Sequence, residues 1–326
     1  MVVVDDAEIY DTTTASKQVI KTLARGTEVT LYKTSEDWYR GIFEGKTGYI
    51  SADDVYLKAS SKPEIEETAT VLVASAGLYT EPGGGLRITL IPKDTQVEVV
   101  EANPGGYHKI YYSGYIGYVF SDHVPLDSQK AEGKVIVETA NIYDTTSTSK
   151  TIVQQVKLNT EVTFYKTSED WYRGIFEGKT GYISADDVYL KASSKPAIQE
   201  TATVLVAEAG LYTESGGGVR IALIPKDTQV EVVRANPGGY HEIYYGGYIG
   251  YVFSDHVPLD SQKAEGVITA DPANVYDTTS DNKQVVKTLA KGTEVTFYKT
   301  SEDWYRGIFE GKTGYISADD VQIKNS

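Results

Sequence analysis

Apolar and polar residues alternate along Val29-Thr30-Leu31-Tyr32, the two-residue period of a half-buried strand. Residues 38–43 are rich in aromatic and branched side chains, and Tyr49-Ile50 opens another such run. Between them Gly45-Lys46-Thr47-Gly48 reads as a turn. Residues 96–100 and 110–112 carry the same strand signal, separated by the strong turn Asn103-Pro104-Gly105-Gly106. Pro and Gly recur too often for long helices. Five short strands in about sixty residues predict a small, strongly bent barrel, near the lower size limit for independent folding.

The pattern repeats. The tryptophans fall at Trp38, Trp171 and Trp304, each 133 residues from the next. Residues 32–63 recur unchanged as 165–196, and 298–321 repeat most of them again; this is type A. Residues 115–133 recur unchanged as 248–266 in a second type, B. The types are related: aligning Trp38 with Tyr107 brings Gly48-Tyr49-Ile50 onto Gly117-Tyr118-Val119. The chain therefore reads as five tandem all-β modules in the order A-B-A-B-A. Their limits are residues 1–57, 66–126, 134–190, 200–259 and 267–323. The stretches 58–67, 127–134, 191–200 and 260–266 read as short polar links. Alternating two diverged types keeps identical sequences apart, which disfavours strand exchange between neighbours. If the links hold the modules extended, five in a line span on the order of 100 Å.

Composition narrows the functions. A net charge of −15 over 326 residues argues against nucleic acid and other polyanions, whose partners are Lys-rich and Arg-rich. There are no cysteines, so disulfides, thiolate zinc sites and cysteine nucleophiles are excluded. No apolar run reaches the ~18 residues needed to span a bilayer. The opening Met1-Val2-Val3-Val4-Asp5-Asp6 lacks a basic leader ahead of an apolar core and does not read as a secretion signal. It is expected to be a Met added to a fragment of a longer protein.

Three stretches resemble the bacterial SH3-type domain family. Ala7-Glu8-Ile9-Tyr10-Asp11 looks like its opening Ala-Leu-Tyr-Asp strand, and Asp37-Trp38-Tyr39-Arg40 like its central aromatic pair. Gly48-Tyr49-Ile50-Ser51-Ala52-Asp53-Asp54-Val55 matches the closing strand and turn. The resemblance implies tandem SH3-like barrels; eukaryotic members bind polyproline helices, whereas bacterial members are typically extracytoplasmic and often accompany peptidoglycan hydrolases, where they bind cell-wall glycopeptide. In A, Ser51 and Asp54 stand where the polyproline groove has Pro and Tyr, so a proline ligand loses its apolar seat. The Asn-Val-Arg segment of wall-binding relatives is also missing. In B, Phe120 and His123 occupy those two groove positions. With Tyr79 and Tyr107 they make a candidate aromatic surface, copied as Tyr212, Tyr240, Phe253 and His256. Such rings stack on sugars or peptide planes while their polar ends hydrogen-bond. Trp38, Trp171 and Trp304 are further candidates, expected to point outward against a ligand or against a neighbouring loop or module.

Other motifs carry less. Ser121-Asp122-His123 holds the residue types of a hydrolase triad, but consecutive residues on one extended segment do not converge on a substrate. His108, His123, His241 and His256 all lie in B without metal-site spacing. Asp53-Asp54 and its copies lack the calcium loop pattern and read as a solvated turn in which one Asp caps backbone amides. Gly83-Gly84-Gly85 and Gly216-Gly217-Gly218 lack the Lys-Ser/Thr of a phosphate loop and read as hairpin tips.

The reading is a non-catalytic, cofactor-free, monomeric array from a bacterial surface or secreted protein. It binds cell-wall peptidoglycan or a peptide ligand through B, or serves as an extended spacer. The competing readings are the targeting region of a peptidoglycan hydrolase whose catalytic domain lies elsewhere, and a peptide- or protein-interaction module.

Overall fold

The computed structural model describes residues 1–324. They are all-β: five antiparallel sheets of five, six, seven, six and seven strands, joined by turns and short 3₁₀ segments. The sheets are open, each running from one edge strand to another. Among the described residues there is no α-helix, and none long and apolar enough to cross a membrane. The described chain forms two compact units, residues 1–131 with 140–156 and 162–186, and residues 132–139 with 157–161 and 187–324.

The first A sheet has the order Val19–Leu23, Ala7–Tyr10, Lys46–Ser51, Trp38–Phe43, Leu31–Lys33. Alternation sends Ile9, Phe43 and Ile50 into its core beside Ala7, Leu23 and Val55. The hairpin between Trp38–Phe43 and Lys46–Ser51 turns on Glu44 and Gly45, both at positive φ (49° and 83°), the signature of a two-residue type I′ turn. The turn, closed by Phe43 and Lys46, is thus two residues earlier than the sequence suggests, and Gly48 is a strand residue. Its copy Gly314 shows why it is glycine. A Cβ there would lie 2.5 Å from Val275 Cγ1 and 2.6 Å from the Tyr276 carbonyl oxygen, so two strands could not close.

Each B sheet has six strands. In the first they run Glu67–Thr70, Gln96–Glu101, Tyr107–Tyr112, Tyr115–Phe120, Ser75–Tyr79, Arg87–Pro92. Leu78, Ile91, Val97, Val99, Ile110 and Val119 fill the core. Fully burying each such side chain is worth about 1.5–3 kcal/mol. Gly83 and Gly84 lie at the hairpin tip, where Thr80 N–H donates to the Leu86 carbonyl (2.9 Å).

The third A copy shows what becomes of an expected link. Asp260–Gln262 is a 3₁₀ turn, and Lys263–Ile268 is a strand of the A sheet. It pairs on one side with Glu294–Lys299 and on the other with Val321–Ile323. The A sheet therefore grows from five strands to seven by two additions, the strand that trails from the preceding B copy and Val321–Ile323, which pairs with it. The strand it flanks responds. In the first A copy the equivalent of Glu294–Lys299 is only Leu31–Lys33, because no strand pairs with that edge. The expected strand at Val29-Thr30 is correspondingly irregular there.

Gly314→Ala is expected to destabilise the third A copy by about 1–3 kcal/mol, seen as faster amide exchange at Val275 and Ile316; unchanged exchange would refute the close-approach argument.

Candidate functional site

The hairpin of Tyr107–Tyr112 and Tyr115–Phe120 sets Tyr107 directly opposite Phe120. Their ring centroids are 5.4 Å apart, tilted by 50°. The tight turn after Phe120 then brings His123 edge-on against it at 5.3 Å, closed by the His123 N–H to Phe120 carbonyl bond (3.0 Å). The second B copy repeats this: Tyr240–Phe253 at 5.5 Å and Phe253–His256 at 5.3 Å. All six side chains are half-buried, so each trio leaves ring surface in solvent. Such offset and edge-on packing suits the ring quadrupoles.

Tyr79 does not join them. A Cβ on Gly77 would lie 2.6 Å from the Tyr79 ring, so that ring folds back over Gly77 on its own strand. Tyr212 lies over Gly210 in the same way. The candidate surface is therefore three rings, not four.

His123 is held below its ordinary pKa by burial and then by the Arg173 guanidinium, against the opposing pull of Asp122. His256 is held down likewise by burial and Arg306. Both are thus neutral at pH 7, with one ring nitrogen to donate and one to accept. His108 plays a different part. It is buried, and its Nδ1 accepts the Asn103 N–H at 2.8 Å, pinning the turn before Tyr107. His241 does the same for Asn236 (2.8 Å). Among the described residues no cluster of three His, Asp or Glu is placed to hold a metal.

Ser121, Asp122 and His123 diverge. Ser121 Oγ is buried without a hydrogen bond, Asp122 accepts from the Tyr182 hydroxyl, and His123 packs on Phe120. That Tyr182 contact belongs to a joint the sequence did not reveal. Arg173, buried in the second A copy, lies 4.5 Å from the Tyr182 ring centroid and faces His123. In the second joint Tyr315 donates to Asp255, Arg306 Nε donates to the Asp255 carbonyl (3.0 Å), and Arg306 lies 4.3 Å from the Tyr315 ring.

The tryptophans are half-buried and packed edge-on against a tyrosine: Tyr10–Trp38 at 5.7 Å, Tyr143–Trp171 at 5.6 Å and Tyr276–Trp304 at 5.7 Å. A lysine ammonium sits over each pair; Lys17 is 4.8 Å from Tyr10 and 5.1 Å from Trp38. Lys150 and Lys283 repeat it. Sequence reasoning missed these lysines. The available signal was their 133-residue spacing, behind an Asp-Thr-Thr that the three loops also share. Nor does Asp53 or Asp54 cap the following turn: Ser51 Oγ accepts the Asp53 N–H (3.3 Å).

No protein-family model matches this chain, and no curated protein matches it by sequence. Among solved structures it is similar to NlpC2 from Trichomonas vaginalis, at 14% identity over 72% of this chain and 100% of that one, with a TM-score of 0.20. It is similar to NlpC1 from the same organism at 12% identity, over 82% and 93% of the two chains, with a TM-score of 0.21. Superpositions of that quality carry no argument about fold or function.

Burial holds His108 and His241 below the ordinary imidazole value, so the folded chain disfavours a proton that the unfolded chain accepts. Stability is then full above about pH 6.5 and falls as the pH drops from there toward the folded value. Urea midpoints are expected to be lower at pH 5.5 than at pH 7.5, with a smaller difference in the His108→Gln, His241→Gln variant; equal midpoints in the parent would contradict the assignment. At the joint, Asp122→Ala leaves the Tyr182 hydroxyl without its acceptor and is expected to cost about 1–3 kcal/mol. Limited proteolysis should then cut the second A copy faster, and Asp122→Asn, which keeps an acceptor oxygen, should recover part of the loss.

Proposed function

We propose that the chain is a non-catalytic array of small SH3-like β-barrels from a bacterial surface or secreted protein, whose B copies bind cell-wall glycopeptide. The observation that carries this reading is the recurrence of one ring trio, Tyr107-Phe120-His123 and Tyr240-Phe253-His256, with matching spacings in both B copies. A half-exposed aromatic surface covers the apolar face of a sugar or a peptide plane. The phenol and the neutral imidazole beside it offer donors and acceptors to hydroxyl and amide groups. The acidic net charge of −15 leaves recognition to stacking and hydrogen bonding rather than to attraction of polyanions.

A second reading, a spacer, draws on the two joints. The same Asp-Tyr-Arg contact joins a B copy to A residues in each unit, so neighbouring modules do not rely on a free link.

Tyr107→Ala combined with Tyr240→Ala is expected to abolish retention on purified bacterial cell walls while leaving the far-UV spectrum unchanged. If the parent chain is not retained on walls from several bacteria, the binding reading fails and the spacer reading stands.

A further inference from the structure

In the three A copies the loops that follow Ala7–Tyr10, Thr139–Tyr143 and Ala273–Tyr276 are pinned at both ends. Asp11 donates its N–H to the Gln18 carbonyl (3.1 Å) and accepts the Gln18 N–H on its carboxylate (2.9 Å). Asp144 and Asp277 close the later loops in the same way, each carboxylate accepting at 2.8 Å. The lysine N–H then closes a turn inside the loop: Lys17 on the Thr14 carbonyl (3.1 Å), Lys150 on Ser147 (3.3 Å) and Lys283 on Ser280 (3.1 Å). This frame sets each ammonium over its edge-on Tyr-Trp pair, 4.8–5.7 Å from the two ring centroids. The lysine stays where its surroundings do not. Residues 18–26 and 151–159 differ at all nine positions, whereas the Asp-Thr-Thr and the lysine just before them are the same.

The ammonium is left with donors to spare. It carries three hydrogens, and among the described residues the side chains of these three lysines meet no carboxylate and no other oxygen acceptor. The chain has 46 acidic and 31 basic residues, and other lysines do find a partner. Lys58, Lys62, Lys191 and Lys195 each pair with a glutamate at 2.5–3.1 Å. The indole N–H groups of Trp38, Trp171 and Trp304 likewise donate to no protein acceptor among the described residues, and the rings are half-exposed. We propose that each A copy is a binding site for the carboxylate of a peptide, with the lysine ammonium as its cation and the Tyr-Trp pair as the wall for the adjoining amide plane. The ring faces hold the ammonium in place without cancelling its charge. Its outward hydrogens are then free for charge-assisted bonds to a carboxylate. The indole N–H is a second donor beside it. The ligand carries one carboxylate rather than many, because a net charge of −15 repels a polyanion. A peptide C-terminus and an acidic side chain present the same oxygens beside an amide plane. The inference does not depend on what the B copies bind.

Tryptophan emission reads these sites alone, because the chain's three tryptophans are the three ring walls and the B copies have none. The full chain is titrated at fixed ionic strength with three peptides. Acetyl-Ala-Ala ends in a carboxylate, acetyl-Ala-Ala amide is its neutral counterpart, and acetyl-Glu-Ala amide carries the carboxylate on a side chain. A saturable change in emission is expected with one or both acids and not with the neutral amide; which acid binds identifies the source of the carboxylate. Changing Lys17→Gln, Lys150→Gln and Lys283→Gln together is expected to weaken binding on the order of tenfold or more. Lys→Arg at the same positions keeps a cation over the rings and is expected to restore most of it. Far-UV spectra of both variants separate loss of the site from loss of the fold, and the titration of the parent decides the matter even if a variant fails to fold. The proposal is overturned if neither acid binds, if the neutral amide binds as tightly as the acids, or if the folded Gln variant binds the acids as well as the parent does. It is equally overturned if the Gln variant gains affinity for acetyl-lysine amide, because the rings would then be a seat for a ligand cation that the loop lysine merely fills.

Discussion

A strand edge needs a partner, and in this protein the partner comes from the neighbouring module. Lys263–Ile268 leaves the second B copy and completes the third A sheet between Glu294–Lys299 and Val321–Ile323. Without it the N–H and C=O groups along one edge would face water, an invitation to uncontrolled pairing. The strand also fixes where the B module sits, because only four residues separate Asp255 from the 3₁₀ turn Asp260–Gln262 that precedes the strand. Tyr298, Arg306 and Tyr315 are buried as a consequence. A guanidinium is costly to bury unless it is compensated. Here the Tyr315 ring and the Asp255 carbonyl supply the compensation.

The joint and the candidate ligand surface share one turn. Asp122 reaches forward to Tyr182, and the next residue, His123, packs back on Phe120. The Arg173 charge that belongs to the joint also helps keep His123 neutral. Docking the A module thus tunes the chemistry of the B surface. A change at the joint reaches the ring trio through one peptide link and one Coulombic contact.

Much of this was legible in the residues. Alternation placed the strands, and turn chemistry placed the hairpin tip at Gly83-Gly84-Gly85 and the turn at residues 103–106. Aligning B on A marked Tyr107, Phe120 and His123 as one surface, and the hairpin register does bring them together. Tyr79 lies apart from that trio, because sequence gives the strand but not the side-chain direction and Gly77 leaves room for the ring to fold back. The links at residues 127–134 and 260–266 were misjudged because their polar residues alternate on a short strand whose pairing partners lie 27 or more residues away.

The sequence by itself determined the repeat, its two types and the all-β character, because strand period and turn residues act locally. Only the tertiary structure decided that identical A sequences are not equivalent. Exposure of Tyr32 and burial of Tyr165 and Tyr298 depend on whether a B module and its strand lie against the face, a long-range contact that no residue within the A copy encodes.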